Sequence, residues 1–200
     1  MTSKIALIIG STRQPRVGIF MANYVASLLK PLSGAPVDII DLADQKLPIF
    51  DEAKSPFSRP KEDPTPHYEH EHTRNWSTLI KQYSGFIFVT PEYNGSVPAG
   101  LKNALDCLGH EWGGKPAGIV SYGGHGGDKA AGHLRDILKV LRIKTVPTSA
   151  EFKTSRNTLT DQLESHQFPA SDIATWNDAG AEKKVEQLYA EVSAALQASS

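Results

Sequence analysis

Two hydroxyl and two guanidinium groups follow the apolar run Ile5–Ile9, on Ser11, Thr12, Arg13 and Arg16. Such groups donate strong hydrogen bonds to phosphate, and arginine can donate two in parallel. This set suits a terminal, doubly charged phosphate better than a pyrophosphate, which carries less charge per phosphorus. The residues therefore predict a phosphate-binding loop, and the alternative interpretation is a turn with exposed arginines.

The sequence around this loop predicts a strand, a turn at Gly10 and a helix that begins near Val17 and Gly18. A helix start here directs free backbone N–H groups and the positive end of the helix dipole at an anion. The loop lacks the three closely spaced glycines of dinucleotide-binding folds. It also lacks the lysine followed by serine or threonine of nucleoside-triphosphate loops, so neither class is indicated.

A second group of residues, Pro91, Glu92, Tyr93 and Asn94, follows an apolar run at residues 85–90. The proline cannot donate to a sheet, so the backbone must turn away there, and asparagine before glycine is a strong turn signal. Tyr93 places an aromatic ring at the rim of a cleft, where it could cover a flat ligand. The alternative is an ordinary strand-to-helix turn with an exposed tyrosine.

A third group begins with Ser121 and Tyr122 and continues with four glycines in five positions, of which Gly123 and Gly124 are the first two. Glycine lets the backbone adopt positive φ and approach a ligand without Cβ clashes, so a planar ring could lie against this segment. The glycines follow the strand predicted at residues 116–122, at the end of the strand where ligands bind in open α/β sheets. The alternative is a flexible loop.

Short apolar runs alternate along the chain with helical patterns, which is typical of βαβ units. The strands are predicted at residues 4–9, 37–41, 85–90, 116–122 and around 144–146. The helices are predicted at residues 17–30, 72–83, 98–108, 129–142 and 181–196. Because several of the runs are apolar at every position, we expect parallel strands covered on both faces. The expected fold is an open, doubly wound α/β sheet of five parallel strands with helices on both faces, and all three loops follow its strands.

Three segments do not follow this alternation. Residues 47–66 contain five prolines among charged residues and are predicted to form a long surface loop without regular structure. Residues 152–178 are polar and are predicted to be irregular, although Phe168 and Trp176 indicate that part of the segment packs back. The tail at residues 197–200 is expected to fray.

Composition and charge limit the classes of function open to the chain. Its 200 residues suffice for one domain over residues 1–200. A net charge of −1, from 21 basic and 22 acidic side chains, gives no global attraction to nucleic acid or to an anionic membrane.

The single cysteine, Cys107, excludes an internal disulfide and is expected to be a buried, inert thiol rather than a nucleophile. No apolar run reaches the ~18 residues of a membrane span, so a cytoplasmic location is expected.

Three histidines, His67, His70 and His72, alternate with acidic residues and could form a metal site. Side chains two positions apart on a helix point in different directions, however, and cannot share one ion. The group is therefore interpreted as a solvated helix entrance, and no metal site is predicted.

The three loops together suit a ligand with a phosphate at one end and a flat heterocycle at the other. Flavin mononucleotide (FMN) has this shape. The chain resembles the NADPH-dependent FMN reductase family, the flavodoxin-like quinone and azo-dye reductases. The matching segments are residues 10–13, 91–94 with 98–103, and 121–127.

The resemblance implies a flavodoxin-like fold and a role for each loop. Ser11, Arg13 and residues 16–18 would hold the FMN phosphate. Residues 91–94 would meet the pyrimidine edge of the flavin ring. Residues 121–124 would line the far side of the ring.

The first loop departs from the family in one respect. Val17 and Gly18 stand where many members carry serine and asparagine, so Arg16 and backbone N–H groups must compensate. In the second loop, backbone N–H groups from Glu92 to Asn94 are expected to face the ring and to stabilise the negative charge that reduction places on its N1–C2=O edge.

The resemblance also implies the activity: hydride passes from NADPH, or NADH, through FMN to a quinone or a similar acceptor such as an azo dye, free flavin or a metal oxyanion. Nicotinamide and acceptor would occupy one pocket in turn, which predicts ping-pong kinetics. Tyr93 would stack on the substrate, and no side chain would act as a general acid or base. Because family members form homodimers with flavin sites near the interface, a homodimer or a dimer of dimers is expected.

Two other functions remain open at this point. The chain could be a flavodoxin-type electron carrier, although carriers are typically strongly acidic and a net charge of −1 argues against this. It could also be a flavin-loaded redox sensor that acts through a protein partner, with residues 51–75 as the docking surface. A sensor needs no rapid multiple turnover, so steady-state turnover distinguishes it from a reductase.

Overall fold

The computed structural model describes residues 3–32 and 34–198, and its centre is a sheet of five parallel strands. The strands are β1 (Ile5–Ile9), β2 (Val37–Asp41), β3 (Gly85–Pro91), β4 (Pro116–Gly123) and β5 (Lys144–Lys153). Their order across the sheet is β2-β1-β3-β4-β5. This is the strand order of flavodoxin-like folds, so the predicted fold class is confirmed.

Helices cover both faces of the sheet, which explains why every residue of β1 and β3 is buried. The helices are α1 (Gly18–Leu29), α2 (Leu42–Gln45), α3 (Glu71–Lys81), α4 (Ala99–Asp106), α5 (Asp128–Val140), α6 (Thr158–Ser165), α7 (Ala170–Asp178) and α8 (Ala181–Gln197). One apolar core lies beneath α3, α4 and α5 and includes Trp76 and Trp112. The other lies beneath α1, α7 and α8 and includes Trp176.

The chain changes direction across the sheet at β1, because β2 pairs with one side of this strand and β3 with the other. In open α/β sheets, ligands bind at such a reversal, beyond the carboxyl ends of the strands. The loops that follow β1 and β3 leave the sheet side by side at this point, and β4 pairs with β3. The three loops with unusual residues therefore lie at one edge of the sheet.

The prediction that residues 152–178 are irregular is wrong. Strand β5 continues to Lys153, and two helices, α6 and α7, follow it. The reason is Trp176, which is 1% exposed and donates its indole N–H to the Lys153 carbonyl at 2.7 Å. The Phe168 ring packs against it with a centroid separation of 4.8 Å, as predicted. These tertiary contacts stabilise α7, which is too short to form alone.

The segment 47–66 is mostly irregular, as predicted, but it includes a short 3₁₀ helix at Pro56–Ser58 and part of another at Thr65–His67. Glu52 fixes this loop because its buried carboxylate accepts hydrogen bonds from Arg59 at 2.8 Å and from the backbone N–H groups of Glu69 and His70 at 2.8 and 3.0 Å. The loop is therefore attached to the body of the protein.

Helix α8 continues to Gln197, so the expected fraying does not begin at that residue. Ser199 and Ser200, where the fraying was also expected, lie outside the described residues. Among the helices that the structure describes, none is both long and apolar enough to cross a membrane.

Candidate functional site

The loops after β1, β3 and β4 meet in one cleft at the carboxyl edge of the sheet. The Arg13 guanidinium lies over the Tyr93 ring, with 3.7 Å between its carbon and the ring centroid, and so joins the first loop to the second. The cleft is lined by these two residues together with Pro15, Arg16, Val17, Pro91, Glu92, Tyr122, Gly123, Thr154 and Leu159. The structure thus brings together residues that the sequence analysis assigned to all three loops.

Ser11 is fully buried at the start of the first loop, and its Oγ has no hydrogen-bond partner among the residues that the structure describes. Gly18, at the beginning of α1, packs directly against it. A Cβ on Gly18 would lie 2.9 Å from the Tyr122 hydroxyl and closer still to Ser11 Oγ, so only glycine fits. Since α1 has no side-chain cap, its first N–H groups remain available to an anion.

Arg16 has a different environment from the one the sequence suggested. It is 5% exposed, and its guanidinium forms a two-pronged ion pair with Asp41 at the end of β2, with one Nη1–Oδ1 distance of 2.9 Å. The same guanidinium donates to the Ser11 carbonyl. The Arg16 charge is therefore balanced inside the protein, and Arg16 fixes the shape of the loop.

Asp41 is a residue of this site that the sequence analysis missed. Besides binding Arg16, its carboxylate accepts the Ala43 N–H at 2.9 Å and so caps α2. The available signal was its position, because Asp41 ends a predicted strand next to the point where the strand order reverses. An acidic residue at that edge, beside a loop with two arginines, is a candidate ion-pair partner.

The second loop forms the predicted turn, since Asn94 and Gly95 have φ values of 52° and 74°. The expectation that its N–H groups all face a ligand is wrong for two of them. The Glu92 N–H donates to the Tyr122 carbonyl at 3.0 Å, and the Tyr93 N–H donates to the Ser96 carbonyl at 2.9 Å. The Asn94 N–H has no acceptor among the described residues.

The Glu92 side chain also has a structural role in the second loop. Its carboxylate accepts the Lys129 N–H at 3.1 Å, in the first turn of α5. This contact places a negative charge at the positive end of the α5 dipole. Glu92 therefore connects the second loop to α5, the helix that follows the third loop.

The glycines of the third loop fall into two pairs. Gly126 and Gly127 have φ values of 90° and 84°, a conformation that favours glycine, and so the fold itself requires them. A Cβ on Gly123 would make only ordinary contacts, the nearest at 3.6 Å, and a Cβ on Gly124 would meet nothing within 4 Å. The protein's own packing therefore does not explain glycine at 123 and 124.

Ser121 and Tyr122 end β4 beside these glycines. Ser121 is fully buried and donates its hydroxyl to the Gly126 carbonyl at 2.9 Å, so it holds the loop in shape. Tyr122 is 4% exposed, and within residues 3–32 and 34–198 its hydroxyl has no hydrogen-bond partner. Burial is the main cause that raises the pKa of the Tyr122 phenol, so this hydroxyl is protonated at neutral pH and can donate.

The remaining reactive side chains lie elsewhere. Burial raises the pKa of the Cys107 thiol to about 12, so it is not a nucleophile at neutral pH.

The rings of His70 and His72 stack with their centroids 5.2 Å apart. The expectation that these side chains diverge on a helix is wrong, because α3 begins only at Glu71. Among the described residues, no group of histidine, cysteine and acidic side chains could hold a metal ion.

The residues present fit the phosphate end of FMN. Two buried hydroxyls, on Ser11 and Tyr122, lack partners next to the uncapped start of α1, and the Arg13 guanidinium lies at the mouth of the same cleft. With the 2-1-3-4-5 strand order, this arrangement defines a flavin-binding protein of the flavodoxin-like class.

Comparison with known proteins gives the family. Residues 3–155 match the family described as NADPH-dependent FMN reductase. An NAD(P)H-dependent FMN reductase of Nectria sp. is 42% identical over 149 residues, which are 73% of this chain and 73% of the relative. A 2-hydroxy-1,4-benzoquinone reductase of Burkholderia sp. is 34% identical over 150 residues, 72% of this chain and 74% of the relative.

The fold has a similar counterpart among solved structures. The flavoenzyme NAD(P)H:(acceptor) oxidoreductase FerB of Paracoccus denitrificans superposes with a TM-score of 0.65 over 95% of this chain and 97% of its own, at 18% identity. The chain belongs to the NADPH-dependent FMN reductase family. It is an oxidoreductase that uses FMN as cofactor and NAD(P)H as co-substrate.

Proposed function

We propose that the protein passes hydride from NADPH, or NADH, through bound FMN to quinones or similar small acceptors, by a ping-pong cycle. The observation that supports this proposal is the contact of Arg13 with Tyr93 in one cleft, since we assign phosphate binding to the Arg13 guanidinium and substrate stacking to the Tyr93 ring. A quinone as acceptor is supported by the Burkholderia relative, whose name is 2-hydroxy-1,4-benzoquinone reductase. Azo dyes, free flavin and metal oxyanions are further candidate acceptors.

Each loop has a defined task in this proposal. Ser11 and Arg13 donate to the phosphate, while Arg16 and Asp41 hold the first loop in the conformation that binds it. Bound FMN supplies the hydride chemistry, and the protein binds and orients it. The Asn94 N–H is available to the pyrimidine edge of the ring, and Gly123 and Gly124 leave space for the ring's far side.

The oligomeric state, location and domain organisation are also part of the proposal; the family resemblance supports the oligomeric state, and the sequence supports the other two. We expect a homodimer or a dimer of dimers, located in the cytoplasm, in which residues 1–200 form one FMN-binding domain. Neither nucleic acid nor membrane is expected as a partner, since the net charge is −1.

Steady-state kinetics test the proposed cycle. Initial rates are measured with quinone varied at several fixed NADPH concentrations. Parallel double-reciprocal lines are expected, because nicotinamide and quinone would occupy one cleft in turn. Intersecting lines would mean that both substrates are bound at once, and slow turnover with every acceptor would favour the redox sensor or electron carrier instead.

Replacing Tyr93 by alanine should lower kcat/KM by about three- to tenfold, the loss expected for one aromatic stacking contact. FMN occupancy should fall by less, since the phosphate-binding residues Ser11 and Arg13 remain. Tyr93→Phe is the matched control, because it keeps the ring, and it should behave like the wild type. The measurements are steady-state rates and the flavin-to-protein absorbance ratio. Equal losses of occupancy and kcat/KM would show that Tyr93 acts on the cofactor alone.

A further inference from the structure

The Tyr122 hydroxyl is unusual because it is buried and has no hydrogen-bond partner in the described part of the chain. A buried hydroxyl without a partner destabilises the fold, whereas phenylalanine would fill the same space without this cost. Tyr189 shows the ordinary arrangement in this protein, since its hydroxyl donates to the Ala35 carbonyl at 2.8 Å. Packing therefore explains the ring of Tyr122 but not its hydroxyl.

The surroundings of this hydroxyl place it at the phosphate end of the site. A Cβ built on Gly18, in the first turn of α1, would lie 2.9 Å from it. Ser11 Oγ borders the same point, and it also lacks a partner, as does the buried Nε of Arg16. Three polar groups without partners, each more than nine-tenths buried, thus lie at the start of one helix. Helix starts bind anions through their free N–H groups, and buried donors add to this attraction.

We propose that Tyr122 is a phosphate-binding residue, whose hydroxyl donates with Ser11 Oγ to the terminal phosphate of the cofactor and so selects FMN over riboflavin. The resemblance to the family implied instead that residues 121–124 line the flavin ring. A phosphate dianion offers only acceptors, so both hydroxyls would act as donors. This inference rests on the proposed FMN site.

The charges around the site are consistent with this assignment. Because Asp41 neutralises Arg16, the phosphate charge must be met by Arg13, by the start of α1 and by uncharged donors. Tyr122 belongs to β4, which β3 separates from β1, and it lines the same cleft as the first loop. Its hydroxyl therefore supplies a donor from a rigid strand, which fixes the phosphate position better than a loop does.

The test is Tyr122→Phe in the full-length protein after removal of flavin, titrated with FMN and with riboflavin by fluorescence quenching. We expect FMN affinity to fall by about tenfold or more, the loss of one hydrogen bond to a charged group, while riboflavin affinity changes by less than about twofold. The flavin-free variant should unfold at the same temperature as the wild type or at a higher one, because the substitution removes a buried hydroxyl without a partner.

Tyr189→Phe is the matched control. It removes the hydroxyl that binds Ala35, so it should lower the unfolding temperature and leave the FMN-to-riboflavin ratio unchanged. The inference would be overturned if Tyr122→Phe kept the wild-type ratio of FMN affinity to riboflavin affinity, if it lost affinity for both flavins equally, or if it failed to fold. If the wild type binds neither flavin, the proposed function fails instead.

Discussion

Replacing Arg13 by alanine is expected to give a protein that purifies largely without flavin. Arg16 is paired with Asp41, and Arg13 forms no salt bridge with any described residue, so Arg13 supplies the available charge of the first loop. A two-pronged hydrogen bond to a phosphate dianion contributes about 3 kcal/mol, which corresponds to a roughly hundredfold loss of FMN affinity. Riboflavin affinity should change little, because riboflavin has no phosphate.

Arg142→Ala is the matched control for this prediction. Arg142 lies just past the end of α5, is exposed and is not one of the residues that line the cleft. The Arg142→Ala variant should retain full flavin content. Both variants are measured by the flavin-to-protein absorbance ratio and by titration with FMN and riboflavin. A fully yellow Arg13→Ala protein would show that Arg13 does not bind the phosphate.

Replacing Gly124 by valine should remove most of the bound flavin while the fold survives. A Cβ here would meet no atom of the described residues within 4 Å, so the substitution should not disturb the packing. If the flavin ring lies against this segment, however, a branched side chain must displace it or force the backbone away, at a cost of about 1–3 kcal/mol. Gly123→Val should also lower the flavin content; the nearest side chain to this position is that of Glu92.

Gly132→Val separates this effect from a general glycine effect. Gly132 lies on α5 and also has open space around it, so valine there should leave flavin content and turnover unchanged. Flavin content, turnover and unfolding temperature are measured for each variant. Wild-type flavin content and turnover in both Gly123→Val and Gly124→Val would show that these two glycines belong to an ordinary loop.

The sequence predicted those parts of the fold whose signal is local. Strands β1 and β3 are apolar at every position, so their burial on both faces could be inferred directly, and their predicted bounds differ from the structure by one residue at one end. The turn at Asn94 was predictable for the same reason, because asparagine before glycine favours positive φ. Each of these signals lies within a few residues of the element that it determines.

Other parts depend on contacts between distant segments. Helices α6 and α7 are short and polar; the sequence indicated that Trp176 packs back, but not that it packs on β5 and so stabilises α7. The ion pair of Arg16 with Asp41 joins the loop after β1 to the end of β2. The sequence therefore suggested two free arginines in this loop, where the structure has one. The Tyr122 hydroxyl could be assigned to the first loop only once it was seen next to Gly18 at the start of α1.

Titration of the purified protein with NADPH in the absence of oxygen tests the central claim most directly, namely that this chain is an FMN-dependent NAD(P)H oxidoreductase. The visible spectrum should show a bound flavin whose absorption band disappears with one equivalent of NADPH and returns when a quinone is added. NADH in place of NADPH gives the preference between the two co-substrates. A bound flavin that keeps its absorption band after excess NADPH and excess NADH would contradict the account.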